Sequence, residues 1–224
     1  MFWLVMLATV FGMPESFDQL SFDAGDCLPP ASRDGMVPGL RYIAGWFTPD
    51  ACASLLSFID AAEWSTQLRR RVQHYGHRYD YGRRSVARNP LVAAAPPIPA
   101  WARQDAMRLF REGIMDSEAN QVIINEYQPG QGISPHVDCV PCFGPVVAAI
   151  SLGSACVMDF THPADGTKVA ISLAPGSLCV MSGPARYTWR HSIAARKSDP
   201  TTAGRISRTR RVSVTFRTVN DPAL

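Results

Sequence analysis

Apolar residues recur at helical spacing in the first half of the chain and at strand spacing in the second. Ala51, Leu55 and Ile59 repeat every four residues and predict a helix with one buried stripe. Thr48-Pro49-Asp50 marks its start, because Thr48 can cap and Pro49 has the fixed φ of a first helical residue. Ile98, Ala102, Ala106, Leu109 and Phe110 predict a second helix with these residues on a single face. From Gln121 onward the pattern shortens to β-rich runs at 122–127, 146–152, 155–160, 169–173, 177–181 and 211–219. Pro129-Gly130, Asp165-Gly166 and Pro175-Gly176 separate them as turns. Helices followed by many short strands imply a mainly β, α+β domain: a two-sheet β core of sandwich or jelly-roll type with the N-terminal helices on one outer face.

At 224 residues the chain suits one domain with a full hydrophobic core. Residues 1–36 read as an N-terminal extension and 37–224 as the domain. The apolar start, residues 1–11, has no Lys or Arg ahead of it and no clear cleavage site after it. It fits a start codon assigned too early, with Met13 or Met36 as the true beginning, better than a signal peptide. No run approaches the ~18 apolar residues of a membrane span. Six unevenly spaced cysteines in a chain that needs no staples predict reduced thiols and a cytoplasmic protein. The net charge of +3 does not by itself demand a nucleic-acid partner.

His136-Val137-Asp138 sets an imidazole and a carboxylate two residues apart, so on a strand both would face one ion. His191, 53 residues further on, is the candidate third ligand, with His162 a competitor beside the Asp165-Gly166 turn. Two His and one carboxylate make the facial triad of non-haem iron(II) oxygenases, with positions left open for cosubstrate and O₂. An H-x-D tripeptide alone is common by chance.

In the run from Arg211 to Arg217, Val212, Val214 and Phe216 alternate with Arg211, Ser213, Thr215 and Arg217. If the polar face lines the interior, its two guanidinium groups require anions, and a dicarboxylate such as 2-oxoglutarate supplies two. The bland alternative is a solvated edge strand. Arg205 and Arg211 share the same six-residue spacing, but Arg205 lies in a glycine-containing stretch without alternation.

Together, Asn125-x-Tyr127, Pro129-Gly130, His136-x-Asp138, His191 and Arg211-x5-Arg217 resemble the AlkB-type Fe(II)- and 2-oxoglutarate-dependent dioxygenases over nearly the whole chain. The resemblance implies a double-stranded β-helix (a cupin-like jelly roll). It makes His136, Asp138 and His191 the iron ligands. Asn125 and Tyr127 would bond the cosubstrate, Arg211 its distal carboxylate, and Ser213 would line the pocket. Arg217 would sit by the keto-acid end and the metal Asp. The runs at 150–160 and 186–191, with 72–76, look most like the branch containing the animal tRNA wobble-uridine hydroxylase. That protein carries RNA-recognition and methyltransferase domains with no counterpart here. Val140 stands where the classical repair enzymes carry an acidic base-reading residue, a departure that points away from direct DNA repair.

Between Leu68 and Arg88, Arg69, Arg70, Arg71, Arg78, Arg83, Arg84 and Arg88 surround His74, Tyr75, His77, Tyr79 and Tyr81. Cations interleaved with rings suit phosphates and a displaced base. In an AlkB-like frame this is the nucleotide-recognition lid, about residues 68–90, with Arg69, Arg70, Arg71, His74, Tyr75, Tyr79 and Tyr81 as substrate contacts. The expectation is therefore a monomeric enzyme, away from membranes, that demethylates or hydroxylates modified bases, with RNA favoured over DNA. An idle jelly roll that binds RNA and an oxygenase of protein side chains are the competing readings. Cys139-Val140-Pro141-Cys142 is read as two free thiols rather than half of a zinc site or a redox pair, since no second C-x-x-C and no thioredoxin-like βαβ pattern accompanies it.

Overall fold

A computed structural model describes residues 36–80, 85–86, 95–201 and 204–220, so nearly all of the extension lies outside it. In chain order the elements are β1 (Leu40–Ile43), α1 (Pro49–Asp60), β2 (Val72–Tyr75), β3 (Tyr79–Asp80), β4 (Ser85–Val86) and α2 (Ala100–Arg111). There follow β5 (Gln121–Tyr127), β6 (Ile133–His136), β7 (Phe143–Gly153), β8 (Cys156–Thr161), β9 (Lys168–Leu173) and β10 (Leu178–Met181). The chain finishes with α3 (Gly183–Tyr187), β11 (Arg190–Ile193), β12 (Ser198–Thr201), β13 (Gly204–Ser207) and β14 (Arg211–Val219).

Helix α1 starts as its sequence dictates: the Thr48 hydroxyl accepts from the Ala51 amide and Pro49 occupies the first turn. Its buried stripe is Cys52, Leu55 and Ile59, with Ala51 turned partly outward. On α2 the buried face is Ala102, Ala106 and Leu109. Phe110, expected on that face, is 48% exposed. One residue advances a helix by about 100°, so a position next to Leu109 leaves the narrow stripe.

The strands form two main antiparallel sheets, β1-β10-β7-β14-β5-β2 and β6-β11-β8-β9. Apolar side chains from one face of the larger sheet, among them Val212, Val214, Phe216, Ile124 and Ile150, pack with both long helices. Tyr127, Val147 and Cys179 from its other face join Met158, Phe160, Ile171 and Ile193 of the smaller sheet in a second core. This is the expected double-stranded β-helix with helices on one side. No described helix is long and apolar enough to cross a membrane.

Strand β14 lies between β7 and β5 from Arg211 to Arg217. Its alternation, legible in the sequence, therefore decides which side chains enter the space between the sheets. On the helix side, Glu126 is 2% exposed and accepts two bonds from Arg71 (2.6 and 2.7 Å) and one from Arg210 (2.6 Å). Arg210 also grips Asp60 at the end of α1. The bonds from Arg71, opposed by burial and reinforced by Arg210, hold the Glu126 carboxyl down at about 2 against an ordinary 4.5. A depressed carboxylate stabilises the fold fully above its unfolded value and loses that contribution as pH falls toward its folded one. Glu126→Gln is thus expected to cost roughly 1–2 kcal/mol at pH 7, after discounting for the half-exposed Arg71. Urea unfolding at pH 7 and pH 3 checks it: the gap between wild type and variant should narrow at the lower pH.

Candidate active site

Strand β6 ends at His136, so Asp138 lies just beyond it rather than on it as the two-residue spacing predicted. His191 faces His136 directly across the β6–β11 pairing. The two imidazoles and the Asp138 carboxylate bring one ligand atom each to within 4.8 Å of one another. His136 Nε2 is 3.5 Å and His191 Nε2 3.9 Å from Asp138 Oδ1. His136 Nδ1 lies 2.8 Å from the Ser134 carbonyl. A carbonyl only accepts, so Nδ1 carries the proton and Nε2 keeps its lone pair for a metal.

Arg217 donates from Nε to Asp138 Oδ2 at 2.9 Å, which leaves Oδ1 toward the imidazoles. Burial alone would raise the Asp138 pKa, but Arg217 and then the two His hold it well below the usual carboxylate range. Burial likewise pushes His191 down to about 4, so its ring is neutral at pH 7. Two imidazoles and one anionic carboxylate oxygen gathered this closely fit a divalent transition metal. His162 is elsewhere, bonded to Asp165 and tilted against Trp189, and takes no part.

Further along β14, Arg211 is 3% exposed. Its Nη2 donates to Ser151 on β7 at 3.0 Å, while Nε and Nη1 are buried without a hydrogen-bond partner. Tyr127 lies under the guanidinium at 5.5 Å, and Ser213 and Asn125 are register partners on the same face. A buried cation with two idle N–H groups is too costly to keep unless an anion completes it. The alternative pair fails, because Arg205 is exposed on β13 and bonds Ser198.

The model for the 2OG-Fe(II) oxygenase superfamily matches residues 39–217, more than half of the chain. The chain belongs to this superfamily. It needs Fe(II), 2-oxoglutarate and O₂, and the triad and the idle Arg211 fit that demand. Within the superfamily the oxygenase is of the AlkB type. It is 30% identical over 199 residues to the mitochondrial alkB homolog 7 of Bos taurus, covering 84% of this chain and 87% of that one. It is 34% identical over 204 residues to the tRNA (carboxymethyluridine(34)-5-O)-methyltransferase alkbh8 of Xenopus tropicalis, covering 82% of this chain but only 32% of that protein. The chain therefore spans about a third of the frog relative. The solved structure of OsALKBH1 superimposes with a TM-score of 0.63 at 17% identity, over 81% of this chain and 97% of that one, which bears on the fold.

The oxygenase distributes its expected substrate residues over two faces. Val72 pairs with Asn125 and His74 with Ile123, so Arg70, Val72 and His74 share the inner face. Arg70 donates to Asn125 Oδ1 at 2.9 Å. His74 is pushed down to about 4 by burial and by the nearby Arg78, Arg217 and Arg70. Arg71 and Tyr75 point the other way: Arg71 serves Glu126, and Tyr75 is buried among the helix-side core with its hydroxyl on Gln73. Those two are corrections, because a period of two separates neighbours that composition had pooled. Arg69 is exposed and, with Arg70, lines a cleft of about 440 Å³ against residues 130–135 and 192–195. Tyr79 lies 5.5 Å from the Phe143 ring, which in turn lies 4.9 Å from Arg217. Tyr81, Arg83, Arg84 and Arg88 fall outside the described residues.

Two features escaped the sequence. Arg186, 2% exposed on α3, donates to the carbonyls of Asp138, Cys139, Phe143 and Gly144. Nothing in a five-residue helix announces a buried cation. Cys139 and Cys142, expected as free thiols, are joined in a disulfide, since a turn places their Cα atoms 5.3 Å apart. For the metal donors, Arg217→Met should leave Asp138 buried without its cation, raise its pKa, and weaken divalent metal binding by roughly tenfold. Anaerobic calorimetry with Mn(II) at pH 7 and pH 6 checks this, with a larger loss at the lower pH.

Proposed function

We propose that this oxygenase hydroxylates or oxidatively demethylates a modified base in nucleic acid, with RNA favoured over DNA. The idle, buried Arg211 guanidinium carries the cosubstrate half of this reading, because a carboxylate is what its two unpaired N–H groups require. In this reading His136, Asp138 and His191 hold the iron, Arg211 binds the distal carboxylate, and Asn125, Tyr127 and Ser213 line its path. Bound iron and 2-oxoglutarate supply the oxidising chemistry, consuming O₂ and releasing succinate and CO₂ as a substrate C–H bond is attacked.

The protein's part is placement and charge control. Arg217 keeps Asp138 anionic and its Oδ1 turned to the metal position. Arg70 secures Asn125 from the lid side. Half-buried Tyr79, packed on the buried Phe143 ring beside Arg217, offers an aromatic face on which a flipped base can stack. Arg69 on the adjoining cleft suits a phosphate. The preference for RNA rests on the frog relative, whose name states that it acts on tRNA.

The test is succinate release from apoprotein given Fe(II) and 2-oxoglutarate anaerobically and then O₂, with methylated RNA or DNA oligonucleotides. Succinate that requires His136 and rises with RNA is the expected result. Stimulation by DNA alone would reverse the preference, and stimulation by neither, with turnover intact, would favour a protein substrate. Arg211→Ala should raise the 2-oxoglutarate KM by about 100-fold, the cost of losing a buried charged partner, while circular dichroism shows the fold retained.

A further inference from the structure

Cys139 directly follows Asp138, and its disulfide to Cys142 closes a four-residue turn immediately beyond the metal donors. The turn lies at the surface: Val140 is 47% exposed and Pro141 is exposed, so small thiols can reach it. The free cysteines among the described residues, Cys52, Cys156 and Cys179, are all buried, and burial pushes Cys179 up to about 12. Among the described residues, accessible thiol chemistry is therefore confined to this pair.

The turn is also tied to the site. Within it the amides of Cys142 and Phe143 donate to the Cys139 carbonyl. Arg186 gathers the carbonyls of Asp138 and Cys139 on one side with those of Phe143 and Gly144 on the other. The donor cluster is assembled in the form that contains the disulfide. Opening the ring returns torsional freedom to residues 139–142, which join the two pairs of carbonyls that Arg186 holds, and so loosens the base on which the Asp138 carboxylate stands. Metal binding then has to order that segment again.

We propose that Cys139 and Cys142 form a reversible redox site that sets how tightly the adjacent centre holds a divalent metal, the disulfide form binding more tightly. In reduction, a glutathione thiolate attacks one sulfur and breaks the S–S bond to give a mixed disulfide and one protein thiol. A second glutathione thiolate attacks the sulfur of the bound one and releases the other protein thiol, so the protein gains two electrons and two protons and one oxidised glutathione leaves. Oxidation by glutathione disulfide is the reverse.

The test equilibrates the full chain anaerobically across reduced-to-oxidised glutathione ratios, traps thiols by alkylation and counts them by intact mass. Mn(II) affinity is then measured by calorimetry on each form. The expected result is interconversion of two thiols within the glutathione range and roughly tenfold tighter Mn(II) binding by the oxidised form, the size typical of groups that orient a ligand. The Cys139→Ser/Cys142→Ser variant should match the reduced form in every buffer. Equal affinities, a pair that does not interconvert, or a reduced protein that loses its thermal unfolding transition would each overturn the proposal, the last by making the disulfide a staple. Absence of Mn(II) binding by both forms, equal to His136→Ala, would remove the metal centre itself and so identifies failure of the broader reading.

Discussion

The contact between Arg217 and Asp138 is what the rest of the site depends on. A carboxyl buried to 7% exposure would ordinarily take up a proton, and a protonated Asp is a poor metal ligand. Arg217 reverses that preference and, by occupying Oδ2, turns Oδ1 to the two imidazoles. It can do so because β14 runs between β7 and β5, where its odd-numbered side chains have nowhere to go but the space between the sheets. The same strand carries Arg211 inward, so one alternation serves both the metal donor and the anion site.

The opposite face of that sheet does different work. Val212, Val214 and Phe216 join the helices in an apolar core, and Glu126 ties Arg71, Arg210 and, through Arg210, Asp60 together at its margin. The helix side therefore fixes the sheet while the inner side keeps polar groups in reserve. Such a reserve is expensive, and Arg211 shows the expense openly in its two idle N–H groups. A bound dicarboxylate would relieve it, so cosubstrate binding and fold stability are linked in this domain.

Backbone carbonyls complete the support. Among the described residues Arg186 has no carboxylate bond and spends its donors on four main-chain oxygens around the turn that follows Asp138. One metal donor is thus held from two directions, by Arg217 at its side chain and by Arg186 at its main chain. The disulfide between Cys139 and Cys142 closes the same turn.

Wherever function followed from local periodicity, the sequence by itself was decisive. The cap at Thr48, the helix stripes, the strand runs and the sorting of Arg211 and Arg217 onto one face of their strand rest on local pattern, which the backbone imposes without reference to distant segments, whereas the choice of His136, Asp138 and His191 came from the family resemblance. Tertiary structure decided what spacing cannot carry. It put Arg71 and Tyr75 behind the sheet and Arg70 and His74 before it, because β2 pairs with β5 in one register. It also ended β6 at His136, buried Arg186, and brought two cysteines expected to be free into one bond. Those outcomes depend on which strand lies beside which and on how a turn closes, and such contacts between remote residues leave no period in the chain.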